Sequence, residues 1–349
     1  MTGFARRLTV GDRLPNFGLP DQAGRRREIY TSINGGPVVV LFLPRKGDGS
    51  RKRAVAEMAE AMTVFDQHNA HVFAVVEGKP EEGRAIAESL DVPFPVLADG
   101  DGEIVPPYLD AFGLEGHGVM VLDPNQRVTA LADDKTEGTL AAAAVKALDS
   151  QASVDLPRLI SNVAPVLVVP NMLDRDDCRR LIDTWHAGGK EEGRIRDMGA
   201  PGGTKTVDYG AKRRTDHVIL DPDLETDLAV TLIPRLTPEI DKVFHFPEWT
   251  LERFRIGSYS AETSGHFAAH RDNANPHVRR RRFAVTLNLN AEDYAGGDLR
   301  FPEYGPDLYR PPTGGAIIFS CGLLHEVVPV TRGVRFVLLT FLLEPPAGG

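Results

Sequence analysis

The sequence predicts two domains, an α/β domain followed by a β-sandwich or jelly-roll domain with helices packed beside it. A chain of 349 residues exceeds the usual size of one domain. Its first half alternates apolar strands with helices, which is typical of a partly parallel sheet. From Thr250 onward, short strands follow one another at near-regular spacing with Gly/Pro-rich turns between them. We place the two domains at residues 1–150 and 151–349.

Composition argues against several classes of protein. Apolar residues make up 42% and charged residues 26% of the chain, as in globular rather than disordered or fibrous proteins. The formal net charge of −9 argues against nucleic acid and anionic membranes as partners. The first residues lack the apolar segment of a secretory signal, and no apolar run approaches about 20 residues. With two cysteines and no Cys-x-x-Cys motif, a cytoplasmic location is expected.

Strands and helices alternate along the first half. Residues 37–43 and 71–76 are continuous apolar runs, which predict strands buried on both faces. Apolar residues at helical spacing predict a helix directly after the first of these strands. The helices are predicted at residues 51–67, 81–90 and 140–148, and the further strands at 94–98, 118–122 and 127–131.

Three stretches of this half carry a resemblance to a known family: Val10-Gly11-Asp12-x-x-Pro15-x-Phe17-x-Leu19-Pro20-Asp21, Val40-Leu41-Phe42-Leu43-Pro44 and Gly118-Val119-Met120-Val121-Leu122-Asp123. They resemble the thioredoxin-like fold, and more narrowly the peroxiredoxins, over roughly residues 10–148. In that family a reactive cysteine lies in the loop and first helical turn after the Phe-x-Pro strand end. Here Arg51 stands about there, and no cysteine precedes Cys178.

The missing cysteine excludes thiol peroxidase chemistry for this half. We interpret the first domain as catalytically degenerate: a scaffold, a homodimerisation surface or a substrate-docking module. An unrecognised ligand site is the alternative.

The second half opens with helices and a loop. A short strand bracketed by prolines is predicted at residues 165–170, with a helix after it. Residues 188–212 are rich in glycine and charge, and predict a surface loop; a lid over a site is the alternative. A longer helix is predicted at residues 223–244, interrupted or kinked at Pro234.

A His-x-Asp motif and a distant histidine predict a metal site. His270 and Asp272 are expected on one strand, where residues two apart face the same way, and His325 begins another strand. Two imidazoles and one carboxylate form the facial triad of non-haem Fe(II) oxygenases, which leaves positions open for a co-substrate and dioxygen. Arg335 offers a planar fork to a carboxylate such as that of 2-oxoglutarate. Surface histidines and a hairpin arginine are the alternatives.

Neighbouring motifs extend this pattern: Tyr259-x5-Gly265-His266-Phe267-x-x-His270-x-Asp272-Asn273, Leu289-Asn290-x5-Gly296-Gly297-x-Leu299-x-Phe301-Pro302, Pro312-x-Gly314-Gly315-Ala316-x-x-Phe319 and His325-Glu326-Val327-x-Pro329-Val330-x-x-Gly333-x-Arg335. In order and spacing they resemble the prolyl 4-hydroxylase-type branch of the Fe(II)/2-oxoglutarate dioxygenases. The resemblance covers roughly residues 165–344. It implies a double-stranded β-helix (jelly-roll) with buttressing helices.

The same resemblance implies roles for individual residues. His270, Asp272 and His325 would hold Fe(II), Arg335 would bind the C5 carboxylate of 2-oxoglutarate, and Tyr259 would hydrogen-bond this co-substrate. Dioxygen is the second co-substrate, and ascorbate is a further candidate cofactor. Leu299 departs from the family pattern, which often has a threonine that helps to bind 2-oxoglutarate. The carboxylate of Asp272 favours hydroxylation, because related halogenases have a small residue there.

We therefore expect a 2-oxoglutarate-dependent hydroxylase that acts on an amino-acid, peptidyl or related small-molecule substrate. A non-catalytic metal-binding sensor or adaptor with two degenerate domains is the alternative. Four arginines, residues 279–282, could recruit an acidic substrate at the site mouth, but a solvated loop in which Arg282 is paired internally is preferred. Cys321 could lie near the metal; a buried residue at a strand end is preferred.

Overall fold

The computed structural model of the protein describes residues 6–33, 35–45, 48–151, 159–193, 195–196 and 205–345. The chain divides into Met1–Leu156 and Pro157–Gly349. The predicted boundary between residues 150 and 151 lies shortly before this division. Within the described ranges, no helix has both the length and the apolar content needed to cross a membrane.

A mixed sheet in the order β5-β4-β3-β6-β7 forms the centre of the first domain. Its central strand β3 is parallel to β4 and antiparallel to β6. The strands are β1 (Gly18–Pro20), β2 (Arg26–Glu28), β3 (Val38–Leu43), β4 (His71–Glu77), β5 (Val96–Asp99), β6 (Gly118–Leu122) and β7 (Val128–Asp133). The helices are α1 (Asp48–Glu60), α2 (Met62–Gln67), α3 (Pro80–Leu90), α4 (Val105–Phe112) and α5 (Leu140–Asp149).

Both faces of β3 are buried, as its continuous apolar run predicts. Val39 and Leu41 belong to the core under α1 and α5, whereas Val40 and Phe42 belong to the core under α4. Because strand side chains alternate between faces, a strand covered on both sides needs an apolar residue at every position. This thioredoxin-like α/β domain was predicted from the sequence, although helix α4 was missed.

Arg51 lies in α1, where the peroxiredoxin resemblance expects a cysteine. Its side chain is buried, and its Nε donates a hydrogen bond to the Pro44 carbonyl oxygen at 2.9 Å. Its Nη1 donates to Glu82 Oε2 at 3.3 Å, which links α1 to α3. A guanidinium with these bonds holds elements together and supplies no nucleophile, in keeping with a degenerate domain.

We expect Arg51→Ala to destabilise the first domain by about 1–3 kcal/mol, because the Pro44 carbonyl oxygen would lose a buried charge-assisted hydrogen bond. Urea unfolding followed by far-ultraviolet circular dichroism measures this loss. Arg53→Ala is the matched control, since Arg53 is exposed on the same helix, and it should change stability by less than about 0.5 kcal/mol. Equal losses in both variants would refute the structural role of Arg51.

The second domain is built from short strands, two helices and two 3₁₀ turns (Ala261–Thr263 and Pro276–Val278) within the described residues. The helices are α6 (Arg175–Ala187) and α7 (Pro222–Phe244). The strands are β8 (Leu167–Val169), β9 (Glu191–Glu192), β10 (Ile195–Arg196), β11 (Lys205–Thr206), β12 (Lys212–Arg213), β13 (Thr215–Val218), β14 (Thr250–Leu251), β15 (Arg255–Ser260), β16 (His266–His270), β17 (Arg281–Asn288), β18 (Ala295–Gly296), β19 (Leu299–Arg300), β20 (Leu308–Tyr309), β21 (Ala316–Ser320), β22 (His325–Val327), β23 (Val330–Arg332) and β24 (Val334–Leu343).

Two antiparallel sheets enclose the site. The larger sheet has the order β8-β21-β17-β24-β15-β13-β9, with β14 beside β24, and the smaller has the order β12-β16-β22-β19-β20. Along β17, Val285 and Leu287 pack in the core with α6 and α7, while Ala284 and Thr286 line the cavity on the other face. This alternation confirms the pattern read from the sequence. The architecture is the predicted jelly-roll with buttressing helices.

Two predictions for this domain need correction. Helix α7 continues through Pro234 and Pro238, so of the predicted interruption or kink at Pro234 the interruption is wrong, and the kink stays a prediction. Buried Leu228 and Leu232 anchor the helix to the core, and this packing offsets the cost of about 3 kcal/mol for an interior proline. The predicted loop at residues 188–212 contains β9 to β12, while residue 194 and residues 197–204 lie outside the described chain.

Candidate active site

Pairing of β16 with β22 brings the two predicted metal-binding histidines together. His270 lies directly opposite His325 in this antiparallel pair, and the register shifts between Phe267 and His270. Asp272 lies in a turn just after β16, so the expectation that it shares a strand with His270 is wrong. Its backbone N–H instead donates to the Cys321 carbonyl oxygen at 3.0 Å, which fixes the turn against the end of β21.

The side chains of His270, Asp272 and His325 converge on one point. His270 Nε2 lies 3.5 Å from Asp272 Oδ1, and His325 Nε2 lies 3.4 Å from Asp272 Oδ2. Within the described chain, these three residues form the only group of His, Cys, Asp and Glu side chains whose geometry could hold a metal ion. His325 is buried and the other two are half-buried, so one side of the group remains open.

Hydrogen bonds to carbonyl oxygens set the tautomer of both histidines. Nδ1 of His270 lies 2.8 Å from the Ala268 carbonyl oxygen, and Nδ1 of His325 lies 3.1 Å from that of Leu323. A carbonyl oxygen only accepts, so each neutral ring carries its proton on Nδ1 and leaves the lone pair of Nε2 directed at the carboxylate. The Nε2 lone pairs and the carboxylate face one another with no proton between them and repel each other. A cation bound between them removes this repulsion. The donor set therefore fits Fe(II).

The pKa shifts favour the metal-binding form of two of these groups. Burial alone would raise the pKa of the Asp272 carboxyl, but a hydrogen bond from His270 and attraction to both imidazoles when they are protonated outweigh it and hold the pKa below its usual value. Burial lowers the pKa of His325, which favours the neutral imidazole. A carboxylate and a neutral imidazole are the forms that bind a divalent metal.

A cavity of about 630 Å³ opens beside this group, and Arg335 lies in its wall. Arg335 is 3% exposed, and its Nη2 is 3.5 Å from Asn288 Oδ1, a long hydrogen bond. Its Nε has no hydrogen-bond partner, and no carboxylate in the described ranges forms an ion pair with it. A buried guanidinium without a counter-charge is costly, and a carboxylate ligand in the cavity would neutralise it.

Tyr259 lies opposite Arg335 in the pairing of β15 with β24. The guanidinium of Arg335 is 5.3 Å from the centroid of the Tyr259 ring. The Tyr259 hydroxyl accepts a hydrogen bond from Arg214 Nη1 at 3.3 Å. Leu299 also lines the cavity and adds no polar group. The positions of Tyr259 and Arg335 thus allow both to contact one ligand, and the roles assigned to them remain predictions.

The sequence analysis missed a charged group in the same cavity. Lys212 of β12, Arg214 between the strands and Asp216 of β13 lie at every second position, and they line the cavity with Arg255 of β15. The alternation of charged residues at every second position could have predicted strands here. It was not recognised because the strands are only two and four residues long and because residues 188–212 were interpreted as a loop.

The arginines at residues 279–282 are mostly paired within the domain. Arg280 donates two hydrogen bonds to the Glu344 carbonyl oxygen, Arg281 pairs with Glu252, and Arg282 pairs with the Glu344 carboxylate. The pairing of Arg282 was expected, but Arg281 and Arg282 belong to β17 rather than to a solvated loop, and Arg281 lines the cavity.

Both cysteines are buried. Burial raises the pKa of the Cys178 thiol to about 12 and also raises that of Cys321. Because the thiolate is the reactive form, we expect neither thiol of the native protein to react with Ellman's reagent at about pH 8, and both to react after denaturation. A rapidly reacting equivalent in the native protein would show that this expectation is wrong.

Comparisons with known proteins agree with this geometry. Residues 254–343, which include Tyr259, the metal-binding group and Arg335, match the 2OG-Fe(II) oxygenase superfamily. The second domain is a 2OG-Fe(II) oxygenase domain. Residues 10–131 match the AhpC/TSA family, so the first domain is peroxiredoxin-like. For the oxygenase domain, membership implies Fe(II), 2-oxoglutarate and dioxygen.

Individual relatives cover parts of the chain. A stretch of 93 residues is 34% identical to a PKHD-type hydroxylase of Synechococcus sp. (strain JA-2-3B'a(2-13)). This stretch covers 25% of this chain and 41% of the relative. A second stretch of 110 residues is 28% identical to a protein of Mycobacterium tuberculosis (strain CDC 1551 / Oshkosh) named as a peroxiredoxin. It covers 32% of this chain and 67% of that protein. The chain thus spans about two fifths of the hydroxylase that it matches.

Among solved structures, a Pseudomonas putida prolyl-4-hydroxylase is similar with a TM-score of 0.38 and 19% identity. This similarity covers 52% of the present chain and 94% of the other.

Proposed function

We propose that the oxygenase domain is a hydroxylase that depends on Fe(II) and 2-oxoglutarate and acts on an amino-acid, peptidyl or related small-molecule substrate. One observation carries the proposal: a group of metal-ligand type and a buried arginine without a counter-charge share one cavity. A metal site alone would not need Arg335. The metal-binding group together with Arg335 matches a ligand that chelates a metal at one end and presents a carboxylate at the other.

Different residues of the cavity bind the metal and the co-substrate. His270, Asp272 and His325 hold the metal from one side, and Arg335 with Tyr259 orients 2-oxoglutarate through its distal carboxylate. Phe319 and Val337 add apolar surface to the cavity, which limits the access of water. When bound, Fe(II), 2-oxoglutarate and dioxygen supply oxidative decarboxylation to succinate and CO2, coupled to hydroxylation of a C–H bond.

Succinate release tests the proposal without knowledge of the substrate, because such sites also turn over 2-oxoglutarate slowly in the absence of substrate. The purified protein is supplied with Fe(II) and 2-oxoglutarate in air, and succinate is quantified over time. We expect release that requires both additions and stops when a chelator removes the metal. A protein that binds metal but releases no succinate would be a sensor or adaptor, and the proposal would fail.

A further inference from the structure

A cluster of charged side chains covers the wall formed by β12, β13 and β15. Among the described residues, Asp216 is the only buried carboxylate of this wall, and Lys212, Arg214 and Arg255 surround it; Glu191 and Glu192 on neighbouring β9 are exposed. Arg214 is close: its Nη2 donates to Asp216 Oδ2 at 2.8 Å, and its Nε lies 2.5 Å from Oδ1. Lys212 Nζ and Arg255 Nη1 lie 3.8 and 3.9 Å from Oδ2, beyond hydrogen-bond distance.

This cluster carries more positive than negative charge. Arg255 is also 3.9 Å from Glu252, but the Glu252 carboxylate is hydrogen-bonded to Arg281 at 2.7 Å. Asp216 therefore has to balance Lys212 and Arg255 as well as Arg214. Since buried charges are normally paired, the imbalance suggests an anionic ligand.

The electrostatics of the cluster agree with this imbalance. Burial, reinforced by the charge of Arg214, lowers the pKa of Lys212 to about 7 and also lowers that of Arg255. The attraction of nearby carboxylates, Asp216 with Asp272 for Lys212 and Asp216 with Glu252 for Arg255, is too weak to compensate. Lys212 is buried, and Arg255 remains 31% exposed and lines the cavity.

The cluster lies beside the metal-binding group. Lys212 Nζ is 4.9 Å from the centroid of the Phe267 ring. That ring stacks on His270 at 3.6 Å between centroids. A molecule held by Lys212 and Arg255 would thus lie next to the place where hydroxylation occurs. Arg335 is a separate guanidinium, positioned on β24.

We propose that Lys212 and Arg255, oriented by Asp216 and Arg214, bind a carboxylate of the primary substrate, which is therefore an organic acid. This inference rests on the proposed function, in which Arg335 is occupied by 2-oxoglutarate. The cavity then has two anion sites, one for the co-substrate and one for the substrate.

Binding to the protein loaded with Mn(II), which replaces Fe(II) to prevent turnover, tests the inference. Calorimetry first measures the affinity for 2-oxoglutarate; if none binds, the proposed function itself fails. The complex is then titrated with N-acetyl-L-amino acids, including N-acetyl-L-proline, and with the carboxamide of each. We expect at least one acid to bind about tenfold or more tightly than its amide. If no acid is preferred over its amide while 2-oxoglutarate binds, the substrate inference alone is overturned.

The Arg255→Met variant tests whether the acid binds at this cluster. It should weaken the preferred acid about 10- to 100-fold and change the affinity for 2-oxoglutarate less than about twofold. Arg255→Lys, which keeps the charge, should recover part of the loss. Arg253→Met is the matched control: Arg253 pairs with Glu225 at 3.1 Å and should leave both affinities unchanged. If Arg255→Met weakens 2-oxoglutarate as strongly as the acid, the cluster belongs to the co-substrate site and the inference is wrong.

Discussion

Replacing His270 or Asp272 by alanine should abolish metal-dependent succinate release. Each variant leaves two of three ligands, and Asp272 is the only carboxylate among them. Loss of a residue that merely orients a ligand costs about 10–100-fold in metal affinity, so loss of a ligand itself should cost at least about 100-fold. Metal content after dialysis and succinate release measure the two consequences separately.

His266→Gln is the control for these variants. His266 lies on the same strand but outside the metal-binding group, and its ring nitrogens lie within hydrogen-bond distance of the Ser264 and Gly210 carbonyl oxygens. It should retain metal and succinate release. Wild-type release from His270→Ala or Asp272→Ala would show that the metal binds elsewhere.

Arg335→Met should weaken 2-oxoglutarate binding about 30-fold or more, because removal of one partner from a buried charge pair costs about 2–5 kcal/mol. The same change should lower the melting temperature of the ligand-free protein little, since within the described chain Arg335 has no ion-pair partner and only a long hydrogen bond to Asn288. This combination of weaker binding with little loss of stability distinguishes a ligand-binding arginine from a structural one. Titration calorimetry and differential scanning fluorimetry measure the two effects.

Arg332→Met serves as the control, because Arg332 is exposed on neighbouring β23. Arg335→Lys should bind 2-oxoglutarate with intermediate affinity, since an ammonium keeps the charge but not the planar fork. Unchanged binding in Arg335→Met would remove this residue from the co-substrate site.

The sequence predicts much of the site because ordered motifs constrain distant residues. His270, Asp272, His325 and Arg335 were assigned from residue type and spacing, and the fold brings the first three within metal-binding reach. The turn that holds Asp272 could not be foreseen, because it depends on a hydrogen bond to the Cys321 carbonyl oxygen. That contact joins residues far apart in the chain.

Other features could not be predicted from the sequence, for physical reasons. Helix α4 begins with Val105 and two prolines, which read as breakers in a sequence although proline is well tolerated in a first helical turn. Arg51 is a charged residue after a glycine-rich stretch, and only the structure shows that it is buried. The cluster around Asp216 lies on strands too short to give a detectable period. A homodimer through the first domain, a cytoplasmic location and a need for ascorbate stay predictions.

A crystal structure with Mn(II) and 2-oxoglutarate tests the central claim most directly. The account predicts the metal between His270 Nε2, His325 Nε2 and the Asp272 carboxylate, with the distal carboxylate of 2-oxoglutarate on Arg335. Lys212 and Arg255 should then still face an open part of the cavity. A metal bound away from these three residues, or a distal carboxylate on Lys212 and Arg255 with Arg335 unengaged, would contradict it.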